Sequence, residues 1–229
     1  LEDPALALTL ADVLKPEVAA RFRTGQPPSG ALNYGYTRSA YWLRLTLHNG
    51  SDRAIERMLE LSGASPATIE FHQPNADGTY RTPMTGGALP FDTRGYKNRY
   101  FVFPLSLPAD STYVVYFRVR SNNPMLIPVR LWQVQAFHEN ERDDYLGQAW
   151  YFGMVTAMVL FNLLLFFALR DGIYIWYVGF VSCLALAVAS QFGLSQEFLW
   201  PDSTLWSDIA ASVLYSLTAA MFLLFMRRM

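Results

Sequence analysis

The chain has 229 residues, a formal net charge of −1 and no run of basic residues, which argues against nucleic acid as a partner. Its one cysteine excludes an intrachain disulfide, and its three histidines are scattered without the spacing of metal ligands. We therefore expect neither a metal ion nor a cofactor. The charge is divided unevenly, because residues 1–144 carry 15 basic and 15 acidic side chains whereas residues 145–229 carry 3 and 4.

The first 36 residues show the least regular pattern. Residues 12–22 predict one or two helical turns, which Pro16 limits. The chain opens without Met, a basic segment or a cleavage motif, and it stops directly after an apolar run. We interpret it as a fragment of a longer protein, from which any signal peptide is already gone.

A series of short segments with alternating apolar residues follows. In the segment 41–48, Leu43, Leu45 and Leu47 share one face of a strand. The same alternation predicts strands at 57–61, 68–72, 80–84, 99–105, 112–120 and 126–134. Turns rich in Gly, Pro and Asn separate them, without a helix long enough for a parallel crossover. Residues 1–140 are therefore predicted to form a mainly β domain, a β-sandwich or jelly roll.

Residues 146–169 form a run of 24 without a charged residue or a histidine. As a helix this run is about 36 Å long, enough to cross a hydrocarbon core of about 30 Å with some tilt. Further uncharged runs occupy residues 173–194 and 209–226. Residues 141–229 are therefore predicted to place three transmembrane helices in the lipid bilayer.

The charges beside these runs indicate an orientation. The basic residues next to them are Arg170, Arg227 and Arg228, whereas the loop 195–208 holds acidic residues and neither Lys nor Arg. By the positive-inside rule, the turn at Arg170 and the C-terminal end face the cytoplasm. The N-terminal domain then lies on the outer side.

Several segments carry a resemblance to a known family. They are LNYGYT (32–37), YWLRLTLHNG (41–50), LPFDTRGYKNRYFVFPLSLP (89–108), YFRVRS (116–121), VRLWQVQAF (129–137) and GQAWYFGMVTAMVLFNLLLFFALRDGIYIWYV (147–178). In this order they resemble the bacterial seven-transmembrane receptors with diverse intracellular signalling modules, in particular their type 2 extracellular domain. The resemblance implies a periplasmic jelly roll similar to carbohydrate-binding modules, followed by seven helices in the inner membrane. It also implies a cytoplasmic histidine kinase or diguanylate cyclase, which this chain does not contain.

Strand parity singles out candidate ligand-binding residues on the faces opposite the apolar core. They are Trp42, Arg44, Tyr116, Arg118, Arg120, Arg130 and Trp132. If their strands share one sheet, aromatic planes lie beside guanidinium groups, which is how many sugars are bound. In the alternative interpretation the Trp residues pack along an edge and the arginines pair with Glu60 or Glu70. Arg94 and Arg99 add two loop cations, either ligand contacts or solvated charges.

The sequence holds little that indicates catalysis. Its acidic pairs lack the opposed geometry of a glycosidase, and neither a phosphate-binding loop nor a nucleophile with its base is apparent. The acidic residues in 139–144 are interpreted as a solvated neck rather than a cation site. We therefore predict a non-enzymatic receptor fragment that senses a glycan or another small periplasmic ligand. The alternative is an interaction module that forms a homodimer or binds a partner receptor.

Overall fold

A computed structural model describes residues 1–23, 31–63, 67–75, 77–121 and 123–229. The chain divides into two compact units, Leu1–Val134 and Gln135–Met229.

The first unit is mainly β-sheet, as predicted. Its strands are β1 (Glu2–Asp3), β2 (Ala31–Gly35), β3 (Ala40–Asn49), β4 (Ile55–Leu61), β5 (Thr68–Pro74), β6 (Tyr80–Arg81), β7 (Met84–Thr85), β8 (Phe101–Leu107), β9 (Ser111–Arg120) and β10 (Met125–Gln133). Two short helices, α1 (Leu10–Val13) and α2 (Pro16–Ala19), precede β2, and a 3₁₀ turn covers Phe91–Thr93.

The strands form two antiparallel sheets. The larger has the order β1-β3-β9-β5-β6, with β7 also paired to β5, and the smaller has the order β2-β10-β4-β8. Phe71 and Phe117 of the larger sheet lie against Phe103 of the smaller one, with ring centroids 4.4 and 5.5 Å from Phe103. The main core therefore lies between the sheets and takes side chains from both.

Alternation predicted the faces of the strands correctly. Leu43 and Phe117 point into the main core, whereas their neighbours Trp42 and Arg118 belong to the opposite face. The predicted strand at 80–84 is instead the separate pair β6 and β7. The irregular start of the chain contributes β1 and β2, which were not predicted. Pro16 occupies the first turn of α2, so the predicted helical segment is split in two.

Gly86 fixes a close approach beside β7. Its φ is +154°, and a Cβ atom there would overlap the carbonyl oxygen of Ala67 and lie 2.7 Å from the carbonyl carbon. Because both of these atoms belong to the backbone, they cannot move aside as a flexible side chain can.

The second unit is helical. It consists of α3 (Val134–Leu169), α4 (Gly172–Gln191), α5 (Leu194–Phe198) and α6 (Thr204–Arg228). By length and composition, α3, α4 and α6 could each cross a membrane, which agrees with the three predicted spans. The predicted third span started at residue 209, but α6 begins at Thr204, and the short α5 was not predicted.

The contacts within this unit are mainly between α4 and α6. Phe180 and Phe222 lie with ring centroids 5.4 Å apart, and Gly179 leaves room for the sulfur of Met221. The α3 helix begins at Val134, the residue that follows the last residue of β10. At about 1.5 Å per residue its 36 residues extend about 54 Å, so the membrane span and the preceding polar stretch belong to one helix.

Candidate functional site

The outer face of the larger sheet brings six polar or aromatic side chains into two rows. Strand register places Trp42, Arg118 and Glu70 side by side across β3, β9 and β5. Two residues further along, the same strands align Arg44, Tyr116 and His72. All six come from predicted strands, and β9 lies between β3 and β5, so the rows follow directly from antiparallel pairing.

Arg118 is the centre of the first row. Its Nη1 donates to Glu70 Oε1 at 2.7 Å, and its Nη2 donates to the carbonyl oxygen of Leu6 at 3.0 Å. The carboxylate of Asp3 lies 3.7 Å from Nη2 and itself accepts the backbone N–H groups of Ala7 and Leu8. Arg118 thus joins the sheet to the N-terminal segment, and its ion pair with Glu70 agrees with the alternative interpretation of the arginines.

Trp42 and His72 stack directly on each other. Their rings lie 5.2 Å apart at an angle of 13°, and both side chains are buried. His72 Nδ1 is 2.9 Å from the hydroxyl of Thr82. Among the described residues, neither Trp42 Nε1 nor His72 Nε2 has a hydrogen-bond partner. Burial lowers the pKa of His72, an effect that Glu70 opposes and Arg118 reinforces.

Residues 1–19 cover this half of the face, and we call them the cover. Val13, Leu8 and Leu10 of the cover pack with Trp42 and Tyr116 in a hydrophobic cluster separate from the main core. Trp42 is 1% exposed and Tyr116 is 7% exposed. A ligand therefore reaches the flat face of Trp42 only when the cover moves away.

The remaining part of the face is more open. Arg44 is exposed, and its guanidinium lies 5.0 Å from the ring centre of Phe22. Tyr116 sits between Phe22 and Tyr80, with both ring centroids 6.4 Å away. The half-buried rings of Phe22 and Tyr80 thus lie on the buried Tyr116, with the exposed cation of Arg44 over Phe22, at the rim of the cover.

The structure divides the predicted site residues between two sheets. Arg120 is exposed at the end of β9 in the larger sheet, but Arg130 and Trp132 lie on β10 in the smaller one. The condition that all these strands share one sheet is therefore wrong, because β10 pairs with β2 and β4 rather than with β9. Trp132 Nε1 donates to the buried carboxylate of Glu60 at 2.6 Å, so the partner of Glu60 is a tryptophan and not an arginine as the alternative interpretation had it.

Neither loop cation is solvated. Arg94 is buried between the rings of Phe91 and Phe101, at 4.6 and 4.5 Å from their centres. Its Nη1 donates to the carbonyl oxygens of Asn98 and Arg99. The Arg99 side chain is also buried, with its guanidinium 4.3 Å from the ring centre of Tyr100. These contacts stabilise the loop that leads into β8.

Three residues of this face were not among the predicted site residues: His72, Phe22 and Tyr80. His72 was recognised only as a scattered histidine, although its place on a predicted strand put it opposite the core side of that strand. In the residues that the structure describes, no group of three or more His, Cys, Asp or Glu side chains is placed to hold a metal ion. The arrangement suits instead an organic ligand with an apolar ring face and oxygen atoms.

Two family models match the chain. The model described as 7TMR-DISM extracellular 2 matches residues 1–133, and the model described as 7TM diverse intracellular signalling matches residues 144–229. No curated protein matches. One similar solved structure is a family GH115 4-O-methyl-α-glucuronidase, BtGH115A, with specificity for decorated arabinogalactans, at 14% identity and a TM-score of 0.24. The match covers 45% of this chain and 14% of that enzyme, and with so low a TM-score it carries no argument.

Proposed function

Because this chain belongs to the 7TMR-DISM family of membrane receptors, we propose that its first unit senses a small carbohydrate-like ligand and that its helices pass the signal on. The family resemblance seen in the sequence is confirmed. The chain combines an extracellular receptor domain with membrane helices of a signalling family, and its domains are of the receptor type rather than catalytic.

We infer that the first unit is a jelly roll similar to carbohydrate-binding modules. Early strands pair with late ones: β2 with β10, β3 with β9, and β4 with β8. Folding a long antiparallel ribbon over on itself produces this kind of pairing in a double-sheet jelly roll. The strand orders β2-β10-β4-β8 and β3-β9-β5-β7 support the inference.

The ligand is proposed to bind at the outer face of the larger sheet. The observation that carries this proposal is the exposed Arg44, which lies over the Phe22 ring and is in register with Tyr116. The ring of Tyr80 lies on Tyr116 as well. Apolar sugar faces stack on aromatic rings, and hydroxyl or carboxylate groups accept hydrogen bonds from a guanidinium. Of the predicted site residues, Arg44 and Arg120 offer accessible charge on this face, whereas Arg94 and Arg99 serve the loop.

We place the protein in a bacterial inner membrane with its first unit in the periplasm. Arg170 between α3 and α4 and the pair Arg227 and Arg228 at the end of α6 support this orientation. The direct succession of β10 and α3 supports transmission, because movement of the strand end shifts the first turn of the helix. The proposed output is a cytoplasmic histidine kinase or diguanylate cyclase. For the ligand to change that output, it must bind one of two arrangements of the receptor more tightly than the other.

Calorimetry on the whole chain in lipid nanodiscs tests the ligand. Neutral and acidic oligosaccharides are titrated into the wild type, Arg44→Ala and Arg130→Ala. Arg130 is the matched control, since it is an exposed strand arginine on the other sheet. We expect Arg44→Ala to weaken binding at least tenfold and Arg130→Ala to leave it unchanged. Equal effects of both variants contradict the proposed site.

The rival function is tested with the same samples. A blank titration together with concentration-dependent association identifies a homodimer or partner-receptor interface instead. In the complete receptor, a Gly-Ser spacer after Asn140 should uncouple ligand binding from output, because it interrupts α3. Unchanged signalling with the spacer contradicts transmission through α3.

A further inference from the structure

We propose that the cover, residues 1–19, is displaced by the ligand and shields a second part of its binding surface, formed by Trp42, His72 and Arg118. The ligand class is a ring compound with an apolar face and oxygen acceptors, such as a uronic acid. This inference rests on the proposed ligand-sensing function and adds to it a self-occupied site.

The packing of the cover allows it to leave without loss of the main core. Its apolar residues belong to the cluster around Val13, Trp42 and Tyr116, whereas Leu43, Val115 and Phe117 of the same strands belong to the main core. Its backbone contacts to β3 are confined to its first three residues, since Glu2 and Asp3 pair with β3 and Leu1 exchanges two hydrogen bonds with Trp42. Opening therefore exposes one small cluster and breaks a short ladder, while both sheets keep their shared core.

Some nitrogen atoms of the covered surface lack hydrogen-bond partners while the cover is in place. Within the described parts of the chain, Trp42 Nε1, His72 Nε2 and Arg118 Nε are buried and lack hydrogen-bond partners. Buried polar groups without partners destabilise the state in which they are buried, here the state with the cover in place. When the cover is displaced, water or a ligand can bond to the same groups, so this cost disappears. The three nitrogens belong to residues that stack or pair in register, so they occur on one patch.

Arg118 shows which ligand group competes with the cover. Its Nη2 donates to the Leu6 carbonyl oxygen and lies near the Asp3 carboxylate, and both of these oxygens belong to the cover. Its Nη1 is held by Glu70 of the sheet and stays in place when the cover leaves. A ligand carboxylate or hydroxyl can thus replace the oxygens of Leu6 and Asp3 on the same guanidinium.

The ring systems define the rest of the ligand. Trp42 offers an indole face to the apolar side of a ring and an N–H donor to one of its oxygens. His72 stacks on one face of the Trp42 indole and holds its plane in position, so the ligand ring is proposed to stack on the other face. A uronic acid combines an apolar ring face, hydroxyl groups and a carboxylate in one molecule.

Hydrogen exchange on the whole chain in nanodiscs tests the cover without any ligand. Asp3→Asn removes the negative charge next to Arg118, and Glu17→Gln is the matched control, an exposed acid elsewhere on the cover. We expect the amides of Trp42, Ala7 and Leu8, which bond within or to the cover, to exchange at least fivefold faster in Asp3→Asn only. Amides of β4 and β8 should keep their protection.

Either of two results contradicts the proposal that the cover opens as a separate segment. One is unchanged exchange in Asp3→Asn. The other is an equal acceleration in β4 and β8, which means that Asp3 stabilises the whole unit rather than closing one surface.

Titration of methyl β-D-glucuronide into the same proteins tests the ligand class. A larger open fraction raises the apparent affinity by the same factor, so Asp3→Asn should bind at least fivefold more tightly than the wild type and Glu17→Gln. Trp42→Phe in the Asp3→Asn background should reverse much of this gain, because it keeps a ring and removes the N–H donor. Loss of binding in Arg44→Ala without any gain in Asp3→Asn leaves the proposed function intact and refutes the cover. Faster exchange without binding of the glucuronide refutes the ligand class.

Discussion

The hydrogen bond between Trp132 and Glu60 gives a prediction whose size follows from the structure. Trp132 lies one residue before the end of β10, and its Nε1 donates to Glu60 Oε2 at 2.6 Å. The Glu60 side chain is 3% exposed and also accepts the hydroxyl of Ser62. Trp132→Phe keeps an aromatic ring on the surface of β4 but leaves the buried carboxylate with one fewer donor.

We expect this variant to lower the free energy of unfolding of the first unit by about 2 kcal/mol. A hydrogen bond to a charged group contributes about 1.5–3 kcal/mol, and a buried acceptor left without its donor bears that loss directly. For a unit of this size the corresponding fall in Tm is roughly 6 °C. In Trp42→Phe the N–H has no acceptor to lose within the described structure, so any loss of stability there comes from the smaller ring in a buried site.

The assay is urea unfolding of the chain in nanodiscs, followed by hydrogen exchange at the amides of β4 and β10. A double-mutant cycle with Glu60→Gln isolates the pair, and we expect a coupling energy of about 1 kcal/mol or more. A loss below about 0.5 kcal/mol in Trp132→Phe would contradict the expected contribution of this hydrogen bond. So would strict additivity with Glu60→Gln.

Three further predictions concern the first unit. Because burial lowers the pKa of His72, the folded state binds fewer protons than the unfolded state, so stability should decline as the pH falls below about 6.5; melting curves of His72→Gln should lose this part of the slope. Gly86→Ala should cost about 3 kcal/mol in urea unfolding, whereas Gly63→Ala, whose added atom lies at an ordinary contact distance of 3.8 Å from the Leu126 carbonyl oxygen, should cost less than about 0.5 kcal/mol. Arg94→Lys should cost about 2 kcal/mol in the same assay because an ammonium cannot replace the planar guanidinium between two rings, and Arg120→Lys on the exposed strand end should be neutral.

Much of the fold was accessible from the sequence because burial on one face of a strand imposes a period of two. Leu43 and Phe117 show that period clearly, and the membrane spans are even plainer, since a helix in lipid must be apolar over its whole length. The sheet to which Trp132 belongs was not accessible, because strand order depends on contacts between residues far apart in the chain. Alternation of apolar residues shows which side chains of a strand face the core, but it does not show which strand lies next to it.

The candidate site was harder to predict than the fold, for two physical reasons. The apolar residues of the cover follow no regular helix or strand period, so its sequence does not indicate that it packs on Trp42 and buries it. Arg94 was misjudged because a guanidinium in a polar loop reads as solvated, although flanking aromatic rings and backbone carbonyls can hold it inside. In both cases the deciding partners are distant in sequence or belong to the backbone.

The uninterrupted start of α3 has a consequence for the spacing between the domain and the lipid. Each residue of a helix turns its successor by about 100°, so one residue added within 138–145 rotates every later side chain of α3 by that angle relative to its first turn. Seven added residues return the helix to within about 20° of its original phase and lengthen it by about 10 Å. Under the proposed transmission through α3, length variants of this segment are expected to retain signalling periodically, with the repeat of the helix rather than in proportion to the number of residues added.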